Sequence, residues 1–297
     1  MITLSVIIAA VAGFELYNAG RPAQAASRTA AGSFIGLYSH DSPASYAGVT
    51  AFTNATGVRP NVTVYYSGWL EPFKAGFAAT AAQAGAVTLV QLDPTNISLT
   101  AIAAGRYDGY LDSYAQAVRA YKAPVLLSFG HEMNGDWYSW AYKHTSPAVF
   151  VAAWRHVVTL FRTQKVRNVT WVWTVNNIVT QTGIPSPLPW WPGNSYVNWV
   201  GIDGYFTTSA ESFSAVFGPT VVSVRSITSD PILITETSAT PASAQPAKIA
   251  DLFAGVRLYD LLGFIWFDSA FEIDWRLSAA ALAEYRKDAV KYKVGRP

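Results

Sequence analysis

The stretch F-G-H-E-M-N-G-D-W-Y-S-W, residues 129–140, sets His131 beside Glu132 and follows them with Trp137 and Trp140. It closes an apolar run, A-P-V-L-L-S, of the kind that forms a buried strand. A second carboxylate, Glu236, ends another such run, P-I-L-I-T-E-T-S (231–238). The chain has seven glutamates, and only these two fall at the ends of apolar runs. Glu15 lies in an N-terminal segment, Glu211 and Glu284 in helical patterns, and Glu71 and Glu272 a few residues into loops. Two carboxylates facing each other suit hydrolysis of a glycosidic bond. At a separation of about 5–5.5 Å, one attacks the anomeric carbon while the other protonates the leaving oxygen, and configuration is retained. Either residue alone reads equally well as a solvated loop carboxylate or half of an ion pair. Two at opposed strand ends favour the chemical reading.

Positioning such a pair needs a frame, and the frame is periodic. Short β-rich apolar runs occupy 34–40, 62–69, 86–93, 124–131, 169–176, 199–206, 231–238 and 261–268. Each is separated from the next by enough chain for a crossover helix. The runs are continuously apolar rather than alternating, which predicts strands buried on both faces of a parallel sheet. Between them lie helix signals. Ser146-Pro147 is an N-cap before a first-turn proline, and Phe150, Trp154, Val157, Val158 and Phe161 form one stripe. Tyr110, Leu111, Tyr114, Val118 and Tyr121 form another. Eight βα units predict an α/β fold, a single-domain (β/α)8 TIM barrel whose site lies at the C-terminal strand ends. A doubly wound open sheet is the runner-up, but no phosphate-binding glycine motif follows the first run.

Composition narrows the function classes. Of 297 residues 51% are hydrophobic and 13% charged, so a large core is expected and disorder is not. The net charge of +2, without any basic run, gives no footprint for nucleic acid. There is no cysteine, hence no disulfide or thiolate metal site. His40, His131, His144 and His156 show no metal-binding spacing, and none of the eight runs carries a Schiff-base lysine. We expect no cofactor and no metal. The segment I-T-L-S-V-I-I-A-A-V-A-G-F has the length of a signal-peptide core, too short to span a bilayer, and precedes a small-x-small site at Ala23-Gln24-Ala25. The expected layout is a signal peptide at 1–25 and one catalytic domain at 26–297, secreted, monomeric and without stable membrane insertion. The absence of Lys and Arg before the apolar core leaves open an ordinary buried segment.

His131-Glu132-Met133-Asn134-Gly135-Asp136-Trp137 resembles the H-E-x-N-G-x-W signature of glycoside hydrolase family 26. The resemblance extends over about residues 34–270, through G-I-D-G-Y, I-T-E and the tryptophan of the eighth run. It implies a retaining barrel acting chiefly on β-mannan, with β-1,3-xylan and mixed-linkage β-glucan as alternatives within the family. It also implies Glu132 as acid/base, Glu236 as nucleophile, and Tyr205 as the hydroxyl bonded to the nucleophile. His131 is expected to touch the sugar or orient the catalytic groups, and Trp137 and Trp266 to lie beside the reacting sugar.

Aromatic residues suit a sugar ligand because indoles stack on the apolar faces of pyranose rings. Trp154, Trp171, Trp173 and Trp199 read as core, whereas the Trp190-Trp191 pair reads equally as a subsite platform or as loop packing. Asn176 and Asn177, closing the fifth run, are plausible hydroxyl partners. Asp136 reads as a loop residue, and Asp268 and Asp274, at and beyond the end of the eighth run, could line a subsite but read rather as solvated loop carboxylates. The expected partner is a polysaccharide, cut internally because short loops leave the cleft open. A different class, a barrel that binds polysaccharide without cleaving it, has no use for two opposed carboxylates.

Overall fold

The structure, a computed structural model, describes residues 34–178, 183–270 and 273–292. The expected signal peptide at 1–25 lies outside the described residues. In chain order the elements are β1 (Phe34–Ser39), α1 (Ala47–Thr56), β2 (Val62–Gly68), α2 (Ala75–Gln83), β3 (Val87–Asp93), α3 (Leu99–Ala103) and α4 (Asp108–Tyr121). Then come β4 (Val125–Phe129), α5 (Pro147–Thr163), β5 (Val169–Asn176), β6 (Trp199–Asp203), α6 (Phe213–Val216) and α7 (Gly218–Arg225). The chain finishes with β7 (Ile232–Thr237), α8 (Gln245–Leu258), β8 (Gly263–Asp268) and α9 (Ala279–Ala289). Every strand falls inside one of the eight apolar runs. All are parallel and pair in sequence order, and β8 returns to β1 to close an eight-stranded barrel.

Closure splits the core in two, which is why neither face of the strands meets solvent. Alternate side chains, among them Val62, Val64, Val87, Leu89, Leu126, Val172, Leu233 and Ile265, fill the lower barrel interior. The others meet the helices in an outer layer. Helix α5 shows how the sequence builds that layer. Ser146 caps it by accepting the Val149 N–H, Pro147 opens it, and the buried stripe from Phe150 to Phe161 lies against the barrel. Phe150 and Trp154 reach Phe129 of β4 with ring centroids 6.3 Å apart in each case. Towards the C-terminal ends the inward positions turn polar, with Gln91, Ser128, Thr174, Asp203 and Thr235 all buried. The barrel is therefore apolar below and hydrophilic beneath its mouth.

The seam between β1 and β8 depends on one glycine. Gly263 opens β8 at φ 151°, and a β-carbon there would lie 1.9 Å from the Phe34 carbonyl oxygen. No rotamer relieves a clash with backbone. Gly263→Ala is expected to cost about 3–5 kcal/mol and to lower the thermal midpoint by roughly 5–15 °C. A melting curve superposing on wild type would show that the seam tolerates a side chain.

Candidate active site

The end of β4 is built by backbone geometry that few residues adopt. Gly130 and Glu132 both take positive φ, 58° and 52°. A β-carbon on Gly130 would press on Trp140 and Phe150 at 3.2 Å, so glycine suits that turn. For Glu132 the left-handed conformation is strained by about 1–2 kcal/mol. Its surroundings hold it there: the Glu132 N–H donates to the Thr174 carbonyl at 3.0 Å, extending the pairing with β5. Asn134 clasps Asn176, its amide donating to the Asn176 carbonyl at 2.8 Å and its oxygen accepting the Asn176 N–H at 2.8 Å.

Both oxygens of Glu132 are then held. Oε1 accepts from Asn176 Nδ2 at 2.6 Å, and Oε2 accepts from the Trp137 indole at 2.8 Å. The Trp137 ring lies against Gly135, where a β-carbon would come within 2.4 Å of Cζ2. Trp137 stays 47% exposed, an aromatic face open beside a buried carboxyl.

His131 departs from the expectation of a sugar contact. It is 2% exposed, with Nδ1 on Asp93 at 2.8 Å and Nε2 on Tyr138 Oη at 3.1 Å. Burial alone would push the imidazole down, but the Asp93 carboxylate beside it, helped by Glu132 and Asp203, raises it to about 10. As an imidazolium it donates on both sides and keeps no free ring nitrogen for a hydroxyl. Its carbonyl also accepts the Trp140 indole at 2.9 Å, so the residue braces the loop beneath the site.

Glu236 reaches the cleft through an irregularity. Thr235 points inward, its hydroxyl 2.5 Å from Asp203 Oδ1, so strict alternation would send Glu236 out towards the helices. The pairing register of β7 shifts against both β6 and β8 at this point, and the shift re-aims the carboxyl. Two phenols meet it: Tyr205 donates to Oε1 and Tyr66 to Oε2. Burial and the Glu132 charge push Glu236 up, to about 7, against the two phenols and His131, which pull it down. Asp203, fully buried beneath, is pushed well above the usual carboxylate range by burial and by the two glutamates. Burial and the Glu236 charge raise both phenols too, so they stay O–H donors.

Aromatic rings line the Glu236 side. Tyr38 stacks on Phe267 at 4.6 Å and meets Tyr66 edge-on at 5.2 Å, while Tyr205 leans on Trp275 at 4.6 Å. Trp266, expected here, is elsewhere. Ile265 faces the barrel interior, so its neighbour faces outward, and Trp266 is fully buried against Tyr285 of α9. Phe267 takes the inward place. Asn176, expected as a hydroxyl partner, gives one amide N–H to Glu132, and Asn177 donates to the Val216 carbonyl. Trp190 is buried and Trp191 packs edge-on against Trp173 at 4.9 Å, which decides for loop packing. Asp136 pairs with Lys143 and Asp274 with Arg276 on the surface, as loop carboxylates do.

Sequence reasoning missed Tyr66, Asp93, Tyr138 and Phe267. For Tyr66 and Asp93 the signal was present, since inward Val62 and Val64 imply an inward Tyr66, and Leu89 implies Asp93. Among the described residues no group of three or more His, Asp or Glu side chains is arranged to hold a metal ion.

The glycosyl hydrolase family 26 model matches residues 86–240, a segment containing both Glu132 and Glu236. Endoglucanase H of Acetivibrio thermocellus is 32% identical over 235 residues, 74% of this chain and 25% of that protein. A mannan endo-1,4-beta-mannosidase of Bifidobacterium adolescentis is 24% identical over 149 residues, 46% of this chain and 15% of that protein. The chain thus spans a quarter or less of the length of these curated relatives. Among solved structures, a modular endo-beta-1,4-mannanase of Cellulomonas fimi superposes with a TM-score of 0.67 at 17% identity, covering 86% of this chain and 70% of its own. A Bacillus subtilis mannanase does so with a TM-score of 0.65 at 19% identity, covering 86% and 85%. At these identities the likeness is one of fold.

Proposed function

The chain belongs to glycosyl hydrolase family 26, and on that premise we propose that it is a retaining hydrolase cutting internal β-1,4-mannosidic bonds, with Glu236 as nucleophile and Glu132 as acid/base. One observation carries the reading. Two carboxyls share the barrel mouth in unlike settings, one fixed through both oxygens by phenols, the other capped by an indole at an open aromatic face.

In the first step an oxygen of Glu236 attacks the anomeric carbon as the glycosidic C–O bond breaks. The leaving oxygen takes the proton from Glu132, and the sugar remains as an ester of Glu236. In the second, water attacks the same carbon, gives its proton to Glu132, and releases Glu236 as a carboxylate. Trp137 offers its face to a pyranose ring. Such a substrate is too large to enter a cell, which agrees with the export signal expected at 1–25.

A second reading, cleavage of β-glucan, is favoured by the relative of higher identity and coverage, whose name is that of an endoglucanase. Mannan, galactomannan, β-1,3-xylan, lichenan and carboxymethyl cellulose, with products sized and anomers followed by NMR, decide between them. Short β-mannooligosaccharides released as the β-anomer are expected. Preferential cleavage of lichenan moves the assignment to glucan, and an α-anomeric first product overturns retention.

A further inference from the structure

Tyr66 bonds Glu236 from outside both the motif and the matched segment, since it stands on β2, ahead of residues 86–240. It contacts the floor on three sides. Its hydroxyl donates to Glu236 Oε2, its ring centroid lies 5.5 Å from that of His131, and its other edge meets Tyr38 at 5.2 Å. Glu236 therefore has a separate donor on each oxygen, from strands on opposite flanks: Tyr205 just past β6, and Tyr66 within β2. A carboxylate with one donor can rotate about its last torsion. With one donor on each oxygen, its plane is fixed.

We propose that Tyr66 is a second positioning residue for the nucleophile, forming with Tyr205 a two-phenol clamp that sets the plane of the Glu236 carboxyl and stabilises its ionised form. The inference rests on Glu236 being the nucleophile and deepens that reading. During attack only one oxygen of Glu236 can bond to carbon. The phenol on the other oxygen stays in place, accompanying what becomes the ester carbonyl. The attacking oxygen turns one lone pair into the new C–O bond and accepts more weakly from its phenol, which is left facing the sugar. A clamp of two hydroxyls thus keeps one donor engaged throughout both chemical steps, with no proton leaving either phenol.

The clamp is tested with Tyr66→Phe, which removes the hydroxyl and keeps the ring packing against Tyr38 and His131. The expected result is a fall in kcat of about 10- to 100-fold with KM changed less than threefold, because the lost bond acts on the reacting group. The acid limb of kcat/KM should also move up by about one pH unit, since a carboxylate that loses a donor is protonated more readily. Inactivation by a 2-deoxy-2-fluoro glycoside with a dinitrophenolate leaving group, which needs the nucleophile and no acid, should slow in parallel. Circular dichroism and thermal melting establish that the variant is folded. Tyr205→Phe is the comparator, and the double variant should lose less than the product of the two single losses, because both act on one carboxyl.

An unshifted acid limb with an unchanged inactivation rate overturns the clamp. So does a loss confined to KM. If Glu236→Ala itself keeps wild-type turnover, the nucleophile assignment has failed. If Glu236→Ala is dead while Tyr66→Phe behaves as wild type, only the clamp has.

Discussion

Glu236→Ala is expected to lose turnover on polysaccharide by on the order of 10⁴-fold or more, the scale seen when a covalent nucleophile is removed. With an activated aryl glycoside, added azide should restore activity and yield the α-glycosyl azide, because the small anion enters from the face the carboxylate has vacated. Stability separates this from misfolding. Glu236 is raised to about 7 in the folded protein, above its usual 4.5, by burial and by Glu132. A carboxyl raised on folding favours the folded state while protonated, and that contribution is lost as pH rises through about 7. Glu236→Gln, which stays neutral, should therefore melt higher than wild type at pH 8 and no higher at pH 4. An inactive variant with that melting pattern has lost chemistry, not structure. Wild-type turnover in Glu236→Ala would sink the nucleophile assignment.

Glu132→Ala should behave differently, and the difference identifies the acid. Polysaccharide cleavage is expected to fall by about 10³- to 10⁴-fold, whereas dinitrophenyl glycosides, whose leaving group needs no proton, should form the glycosyl-enzyme at near wild-type rate. Azide should now give the β-glycosyl azide, attacking the ester on Glu236. The pH profile supplies a second reading. The active form holds one proton on the pair, with Glu236 ionised and Glu132 protonated. Loss of the proton from the general acid sets the basic limb of kcat/KM in wild type. Without Glu132 there is no general acid to deprotonate, and the basic limb should disappear. Equal losses on both substrate types, with the limb intact, would assign Glu132 a structural part only.

The clean outcome of either experiment depends on how tightly the pair is held, and the two residues were legible to different depths. Glu132 stood in a motif whose local sequence specifies its neighbours: Asn134, Gly135 and Trp137 all act on it within five residues. Local chemistry of that kind is readable from a string. Glu236 was placed at a strand end, but nothing in I-L-I-T-E-T announces the register shift that turns it inward, because the shift is set by how β7 pairs with β6 and β8.

The same division explains Trp266 and His131. A tryptophan at the end of the eighth run looked like a wall of the cleft, yet alternation from Ile265 carries it outward to Tyr285 and brings Phe267 in. Which face a side chain takes is a parity fixed by closure of the barrel, and a slip of one residue reverses it. His131 looked able to reach a sugar until Asp93 and Tyr138 took both its nitrogens, one from β3 and one from the following loop.

By itself the sequence determined the eight βα units, the closed parallel barrel they imply, and the two carboxyls at its mouth. Periodicity and residue type carry that information, and both are local along the chain. Tertiary structure decided the donors that no motif announces, because Tyr66 and Asn176 stand on β2 and β5 and reach Glu236 and Glu132 only when the barrel closes. Residue spacing cannot encode those contacts, since they depend on the parity and register of every strand at once.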